Sequence, residues 1–356
     1  MTQQTDDTDF KINGISIKPG TRTTVELPAG RLYTQAPMSI PVHVIRGKKS
    51  GPRLFISAAM HGDEINGVEV IRRLLKHSAL KRLRGTIIAV PIVNIHGLIS
   101  HSRYLPDRRD LNRSFPGSAS GSVAARLAYM FAKEIIAQCD YGIDLHTAAA
   151  QRTNYPNVRG KLSDPEVRRI TEAFGSELIL NGAGPEGSFR REATSAGCPT
   201  ICVEAGEPWK MEPAMVQFGV RGVRNVLINL KMVAGDAVRP PYQTQITSAR
   251  WLRAQLGGIL RFHVAPGQMV HKGQEIASNY TLLGRQRNML LAPNDGIILG
   301  MSTLPTVKPG EPICHLGRTS MKTSEIEFAL ARPAQSARTA LKNRTHLATS
   351  INQVAP

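Results

Sequence analysis

Residues 54–60 read LFISAAM and residues 61–64 read HGDE, and the junction between these two strings decides how the chain folds. The first string is an apolar run bounded by Pro52 and Gly62, which suits a strand buried on both faces. Residues 66–75 follow with Val68, Ile71, Leu74 and Leu75 at helical spacing. The alternation continues through TIIAVPIVN at 86–94, a helix pattern over 124–137, YGIDLHT at 141–147 and a helix near 164–174. TICVEAG at 200–206 and a last helix near 215–232 complete it. Buried strands alternating with amphipathic helices predict an α/β fold, a mixed sheet flanked by helices.

Working outward, 356 residues leave room for roughly two domains at about 150 residues each. Residues 1–50 hold short alternating segments broken by Gly and Pro, and predict an N-terminal β segment packing on a catalytic domain at 51–235. GDAVRPPYQTQ at 235–245 reads as a linker. Residues 257–278 and 295–317 share a Gly, an apolar pair, a V-x-P-G turn and an apolar close. That repeat predicts a small C-terminal all-β barrel-sandwich domain at 247–318. The pattern resembles biotinyl/lipoyl carrier domains, but Gly284-Arg285-Gln286 stands where a carrier has its modified Lys, so a lid or assembly surface is expected. From 319 to 356, Ser, Thr, Ala, Lys and Arg predominate, and a mobile basic tail is expected.

A composition of 41% hydrophobic and 20% charged residues excludes disorder throughout. No apolar run approaches the roughly 18 residues of a membrane span. The first residues, MTQQTDDTDF, are polar and acidic, so no secretory signal and no membrane partner is expected. Cys139, Cys198, Cys202 and Cys314 form no C-x-x-C pair, which points to a reducing, cytoplasmic compartment. The 45 Lys+Arg against 27 Asp+Glu give +18, a balance that favours acidic partners or a carboxylated substrate. With 5% aromatic residues and no basic run interleaved with them, nucleic acid is disfavoured; a homo-oligomer stays open.

The chemistry concentrates at strand ends. His61 and Glu64 lie three apart on the turn after a buried strand, where α/β sheets collect ligands, and could give a metal one nitrogen and one carboxylate oxygen. A plain surface turn would also carry H-x-x-E. His146 ends another buried strand, with Asp144 two residues earlier, on the same side and able to orient His146 or His61. Alone, His146 would read as a core histidine. Together, two His and one Glu are the ligand set of a catalytic zinc with a position left for water.

SRYLPDRRDLNRSFPG at 102–117 is too polar for a core. In order, H-G-D-E, R-Y…D-L-N-R-x-F, D-L-H and V-E-A-G resemble the succinylglutamate desuccinylase/aspartoacylase family of zinc carboxypeptidase-like hydrolases, over roughly residues 50–235. The resemblance implies one zinc per chain on His61, Glu64 and His146, with Glu204 as general base, its pKa raised at a strand end partly removed from solvent. It implies that Arg103 polarises the scissile carbonyl and that Asn112 and Arg113 grip the substrate's carboxylate. Arg103 stands two residues further from Asn112 than in the family pattern, so Arg108 or Arg109 competes for its role. A further substrate-binding arginine is replaced by Thr194, leaving Arg190 or Arg191, of which Arg191 is taken as the expectation.

The implied reaction is hydrolysis of a linear, non-peptide amide in a small carboxylated substrate, such as an N-acyl amino acid. A carboxypeptidase for short acidic peptides would use the same residues. An anion- or nucleic-acid-binding protein with a residual metal site is the reading from another class.

Overall fold

A computed structural model of the protein describes residues 10–331. β1 (Lys11–Ile12) and β2 (Ile15–Ser16) form a small ladder of their own, and β3 (Arg22–Arg31) with β4 (Pro37–Arg46) forms a hairpin at one edge of the main sheet. Then come β5 (Lys49–Ala58), α1 (Asn66–Leu75), β6 (Arg84–Val90), α2 (Ile95–Ile99), α3 (Val123–Glu134), β7 (Tyr141–His146) and β8 (Arg152–Gly160). Next are α4 (Pro165–Phe174), β9 (Leu178–Asn181), α5 (Phe189–Ser195), β10 (Thr200–Gly206) and α6 (Pro213–Asn229). The C-terminal strands are β11 (Thr244–Arg253), β12 (Gly258–Phe262), β13 (Met269–Val270), β14 (Glu275–Tyr280), β15 (Gln286–Leu291), β16 (Gly296–Ser302), β17 (Thr306–Val307) and β18 (Pro312–Thr319). Helix α7 (Thr323–Ala331) ends the described chain.

The sheet is mixed and flanked by helices: β6, β5, β7 and β10 are parallel neighbours, while β4 and β8 pair antiparallel with β6 and β10. The unbroken apolar run in β5 has its explanation here. Leu54, Ile56 and Ala58 enter one core with Ile143, Leu145, Ile201 and Val203, beneath α1, α4 and α6. Phe55 points the other way, into a second core with Phe131 of α3 and Phe189 of α5. Local signals agree with the packing. Asp164 caps α4 by accepting from the amides of Glu166 and Val167, and Gly175 ends it at φ +77°.

The hydrogen-bonded ladder continues past the polar stretch at 235–243. β11 runs parallel to β9, β18 pairs with β11, β16 pairs with β18, and β16 bonds back to β8 through Gly300 opposite Asn154 and Ser302 opposite Arg152. Since β9 also pairs with β8, these five strands close a ring. A separate sheet, β15-β14-β12-β17, shares a third core built on Leu260, Phe262, Val270 and Ile276. Residues 323–331, expected within a mobile tail, instead form α7, with Ile326 buried in the main core. Ile326, with Met321, Ala329 and Leu330 packed against the same core, is hidden when composition is averaged over 319–356. Residues 1–9 and 332–356 lie outside the described residues. Among those described, no helix is long and apolar enough to cross a membrane.

Gly67 lets α1 sit down on the ends of β5 and β7, for a Cβ there would lie 2.7 Å from both the Ala58 and the Leu145 Cβ. Gly67→Ala should therefore cost roughly 1–3 kcal/mol through overpacking. The check is a lower denaturant midpoint at unchanged slope; an unmoved midpoint would show that α1 is free to lift away.

Candidate active site

β5 ends at Ala58, and the chain leaves it through Ala59 at φ +49°, a conformation uncommon without glycine. Gly62 then passes so close to α2 that a Cβ would lie 1.9 Å from the Gly97 carbonyl carbon, which explains the glycine of H-G-D-E. The turn drives His61 and Glu64 inward to 3% and 1% exposure. Alongside, β7 is registered with Ser57 opposite Asp144 and ends in His146, also buried.

Glu64 lies between the two imidazoles. Its Oε1 is 2.6 Å from His61 Nδ1, its Oε2 is 2.8 Å from His146 Nδ1, and Oε2 also accepts from the Thr147 amide at 3.0 Å. Each far nitrogen meets another carboxylate: His146 Nε2 is 2.6 Å from Asp144 Oδ2, and His61 Nε2 is 3.1 Å from Asp110 Oδ1. Asp144, itself held by the Ser57 hydroxyl at 2.8 Å, thus orients His146. The orienting group for His61 is Asp110, which sequence reasoning passed over although it stands in the quoted D-L-N-R string. With Nε2–H given to a carboxylate, each Nδ1 lone pair faces the centre. One donor atom from each of His61, Glu64 and His146 fits within 4.8 Å of the others, so the set suits a divalent cation.

The electrostatics couple the three groups to one another. Burial works against charge on both imidazoles, yet Glu64 with Asp110 raises the pKa of His61, and Asp144 with Glu64 raises that of His146. Burial likewise works against ionised Glu64, but His61 and His146 hold its carboxyl well below the usual range. Glu64 is thus a buried carboxylate kept ionised by the two imidazoles that flank it.

Around it opens a cleft of about 280 Å³ that brings together His61, Glu64, His146 and Asp144 with Arg103, Asn112, Arg113 and Glu204. Glu204 sits on β10 in register with His146. Its Oε2 accepts from Asn154 at 2.9 Å, and its Oε1 lies 3.3 Å from Arg159 Nη1. Arg103 reaches Glu64 Oε1 at 3.2 Å and Asp110 Oδ2 at 3.0 Å. Asn112 Oδ1 accepts from the Phe189 amide at 2.8 Å, which leaves its Nδ2 as the donor it can offer. Arg191 is not brought to this cleft; Arg190 is. Successive helical residues point about 100° apart, and on α5 the Arg191 guanidinium turns to the Gly184 carbonyl. Arg108 and Arg109 are exposed and also lie outside the lining. Thr194 uses its hydroxyl on the Thr200 amide.

Several lining residues escaped the sequence reading because they arrive by long-range strand pairing. Arg152, Asn154 and Arg159 come from β8, Trp251 from β11 and His315 from β18. Trp251 and His315 are cross-strand partners whose rings stack at 4.8 Å and 6°, and the Arg152 guanidinium lies 4.9 Å over the Trp251 ring. Burial, then the positive charges of Arg159 and Arg152, push the His315 pKa down to about 4, so this wall is neutral imidazole near pH 7. The cleft carries five arginines against three carboxylates.

Residues 50–230 match the succinylglutamate desuccinylase/aspartoacylase catalytic domain. A curated relative, the N-alpha-acetyl-L-2,4-diaminobutyric acid deacetylase of Halomonas elongata, is 27% identical over 289 residues, 77% of this chain and 84% of its own. The product-bound ectoine utilization protein of Ruegeria pomeroyi superposes with TM-score 0.77 at 21% identity, covering 88% of this chain and 99% of that one. An aspartoacylase family protein from Mesorhizobium loti superposes at 0.73 with 25% identity, over 86% and 96%. Such coverage extends past residue 230, so C-terminal strands belong to the shared fold.

The His315 shift has a signed consequence. Its folded pKa of about 4 lies below the ordinary 6.5, so the unfolded chain takes up the proton first. The stability it contributes is complete above pH 6.5 and is lost as pH falls toward 4. Thermal melts over this range should show a shallower fall for His315→Gln than for the unaltered protein; parallel curves would contradict the assignment.

Proposed function

The chain belongs to the succinylglutamate desuccinylase/aspartoacylase family, and from that premise we propose that it is a zinc-dependent deacylase cleaving the linear amide of an N-acyl amino acid or related carboxylated substrate. The observation that carries this reading is Glu64 shared between two inward-facing Nδ1 atoms, in a cleft that also holds Glu204 and arginines. His61, Glu64 and His146 would hold one zinc. When bound, the ion supplies Lewis acidity at the scissile carbonyl and lowers the pKa of water toward about 7.

The chain's own residues do the rest. Asp110 and Asp144 keep both imidazoles in the tautomer that faces inward. Glu204, steadied by Asn154 and Arg159, takes the proton of the attacking water and hands it to the leaving amine. Arg103, beside Glu64, donates to the developing oxyanion. Asn112 through Nδ2, and Arg113, hold the substrate's carboxylate and convert binding into alignment. Arg190, whose Nε is buried with no hydrogen-bond partner among the described residues, is the further guanidinium in place of Arg191. Five arginines against three carboxylates favour substrates with more than one carboxylate and repel a second ammonium, such as a free diaminobutyrate side chain carries.

A zinc carboxypeptidase-like catalytic layer and a C-terminal β barrel-sandwich belong to the same proposal. So does a cytoplasmic location, supported by four buried free cysteines. The anion-binding reading with a residual metal site explains less, since it gives no reason for ligands, Glu204 and arginines to share one cleft.

Amine release from N-acyl aspartates and glutamates should exceed that from acidic dipeptides and from N-acetyl-diaminobutyrate. Faster dipeptide cleavage would replace the deacylase with a carboxypeptidase. Glu204→Gln should retain zinc and lose about 10²–10⁴ in kcat; a near-normal rate would remove Glu204 from the proton transfer. Asp110→Asn should weaken zinc affinity by about 10–100-fold, and unchanged affinity would reduce Asp110 to a packing role.

A further inference from the structure

The active-site cleft does not account for a net charge of +18. At the other end of the sheet, below the N-terminal ends of β5 and β6, lies a second cavity of about 950 Å³. It opens between the foot of the β3–β4 hairpin and the connection from α1 to β6, away from the strand ends that bear His61, His146 and Glu204. Among the described residues, eight lysines and arginines line it, and no aspartate or glutamate does. Lys48, Lys49, Lys76, Lys81, Arg82 and Arg84 have no carboxylate partner among the described residues. The contrast with the adjoining helix is direct: Arg72 and Arg73 of α1 share one carboxylate partner, Glu69, at 2.5 and 2.7 Å.

The walls are fixed before any ligand arrives. The Gly47 amide donates to the Gly85 carbonyl at 2.8 Å, the Gly20 amide to Arg46 at 2.9 Å, and the Arg84 amide to Met232 at 2.8 Å. Ile45, Leu75, Leu80 and Leu83 give the cavity an apolar floor. These six like charges around one cavity repel one another, and a ligand carrying several closely spaced negative charges relieves that repulsion. The volume falls in the range of about 300–1,000 Å³ typical of small-molecule sites. Among the described residues no Phe, Tyr or Trp lines it, so they offer no stacking platform of the kind single-stranded nucleic acid uses.

We infer that this cavity binds a polyphosphorylated small molecule, with phosphates on the lysine–arginine rim and an apolar body, such as a nucleobase, on the leucine floor. The inference does not depend on the deacylase proposal, because the two sites lie at opposite ends of the strands.

The test is calorimetric titration of the full chain with ATP, inorganic triphosphate and adenosine in turn. ATP should bind saturably, one per chain, with Kd below about 100 µM, and adenosine should not bind detectably. Weaker binding of triphosphate than of ATP assigns the apolar floor a role, while equal binding assigns the site to the phosphate chain alone. The active-site arginines could also take a phosphate, so location is settled by the double variant Lys48→Glu/Arg82→Glu. It should weaken ATP binding at least about tenfold while leaving deacylation and the melting temperature unchanged, and Lys76→Gln should weaken it by less. ATP affinity unchanged in the double variant would overturn the inference. So would absence of ATP binding, or a single-stranded oligonucleotide that binds more tightly than ATP and displaces it.

Discussion

A buried carboxylate needs compensation from every direction, and Glu64 imposes that requirement on the whole site. Taking such a charge out of water costs several kcal/mol unless charges and hydrogen bonds surround it. Here they come from four separate places: His61 on the same turn, His146 at the end of the neighbouring strand, the Thr147 amide beyond it, and Arg103 from a distant loop. The two from β7 and its end, His146 and Thr147, depend on strand register. Ser57 stands opposite Asp144, so a slip of one residue between β5 and β7 would send Asp144 and His146 to the other face of the sheet. Apolar packing on both faces of β5 is what holds that register.

A second requirement falls on the far wall. β8 carries Arg152, Asn154 and Arg159 into the cleft, and its outer edge is bonded to β16 of the C-terminal strands. The ring of β8, β9, β11, β18 and β16 therefore supports the groups that hold Glu204 and brings Trp251 and His315 to the same cleft. The C-terminal strands are in this sense part of the site rather than an appendage.

One property makes a site residue legible without the family resemblance, through which Arg103, Asn112 and Arg113 are singled out: a place at or just after the end of an apolar run, where burial and direction can both be inferred. His61, Glu64, Asp144, His146 and Glu204 all satisfy it. Asp110 does not, because it reaches His61 from a loop with no periodicity to mark its orientation. Arg190 and Arg191 differ only in helical phase, which a seven-residue helix set by Asn112 and Phe189 decides in three dimensions. Trp251 and His315 are 64 positions apart and meet only through the pairing of β11 with β18. Residues 46–49 and 76–84 meet only through folding, so no local pattern in the sequence marks them as one basic cavity.

The central claim is that the His61, Glu64 and His146 cluster exists to hold a zinc ion. Elemental analysis of the purified protein beside His61→Ala tests it most directly. The account predicts about one zinc per chain, as a buried set of two histidines and a carboxylate would retain, and its loss in the variant. No metal in either protein, even after zinc is supplied, would contradict it.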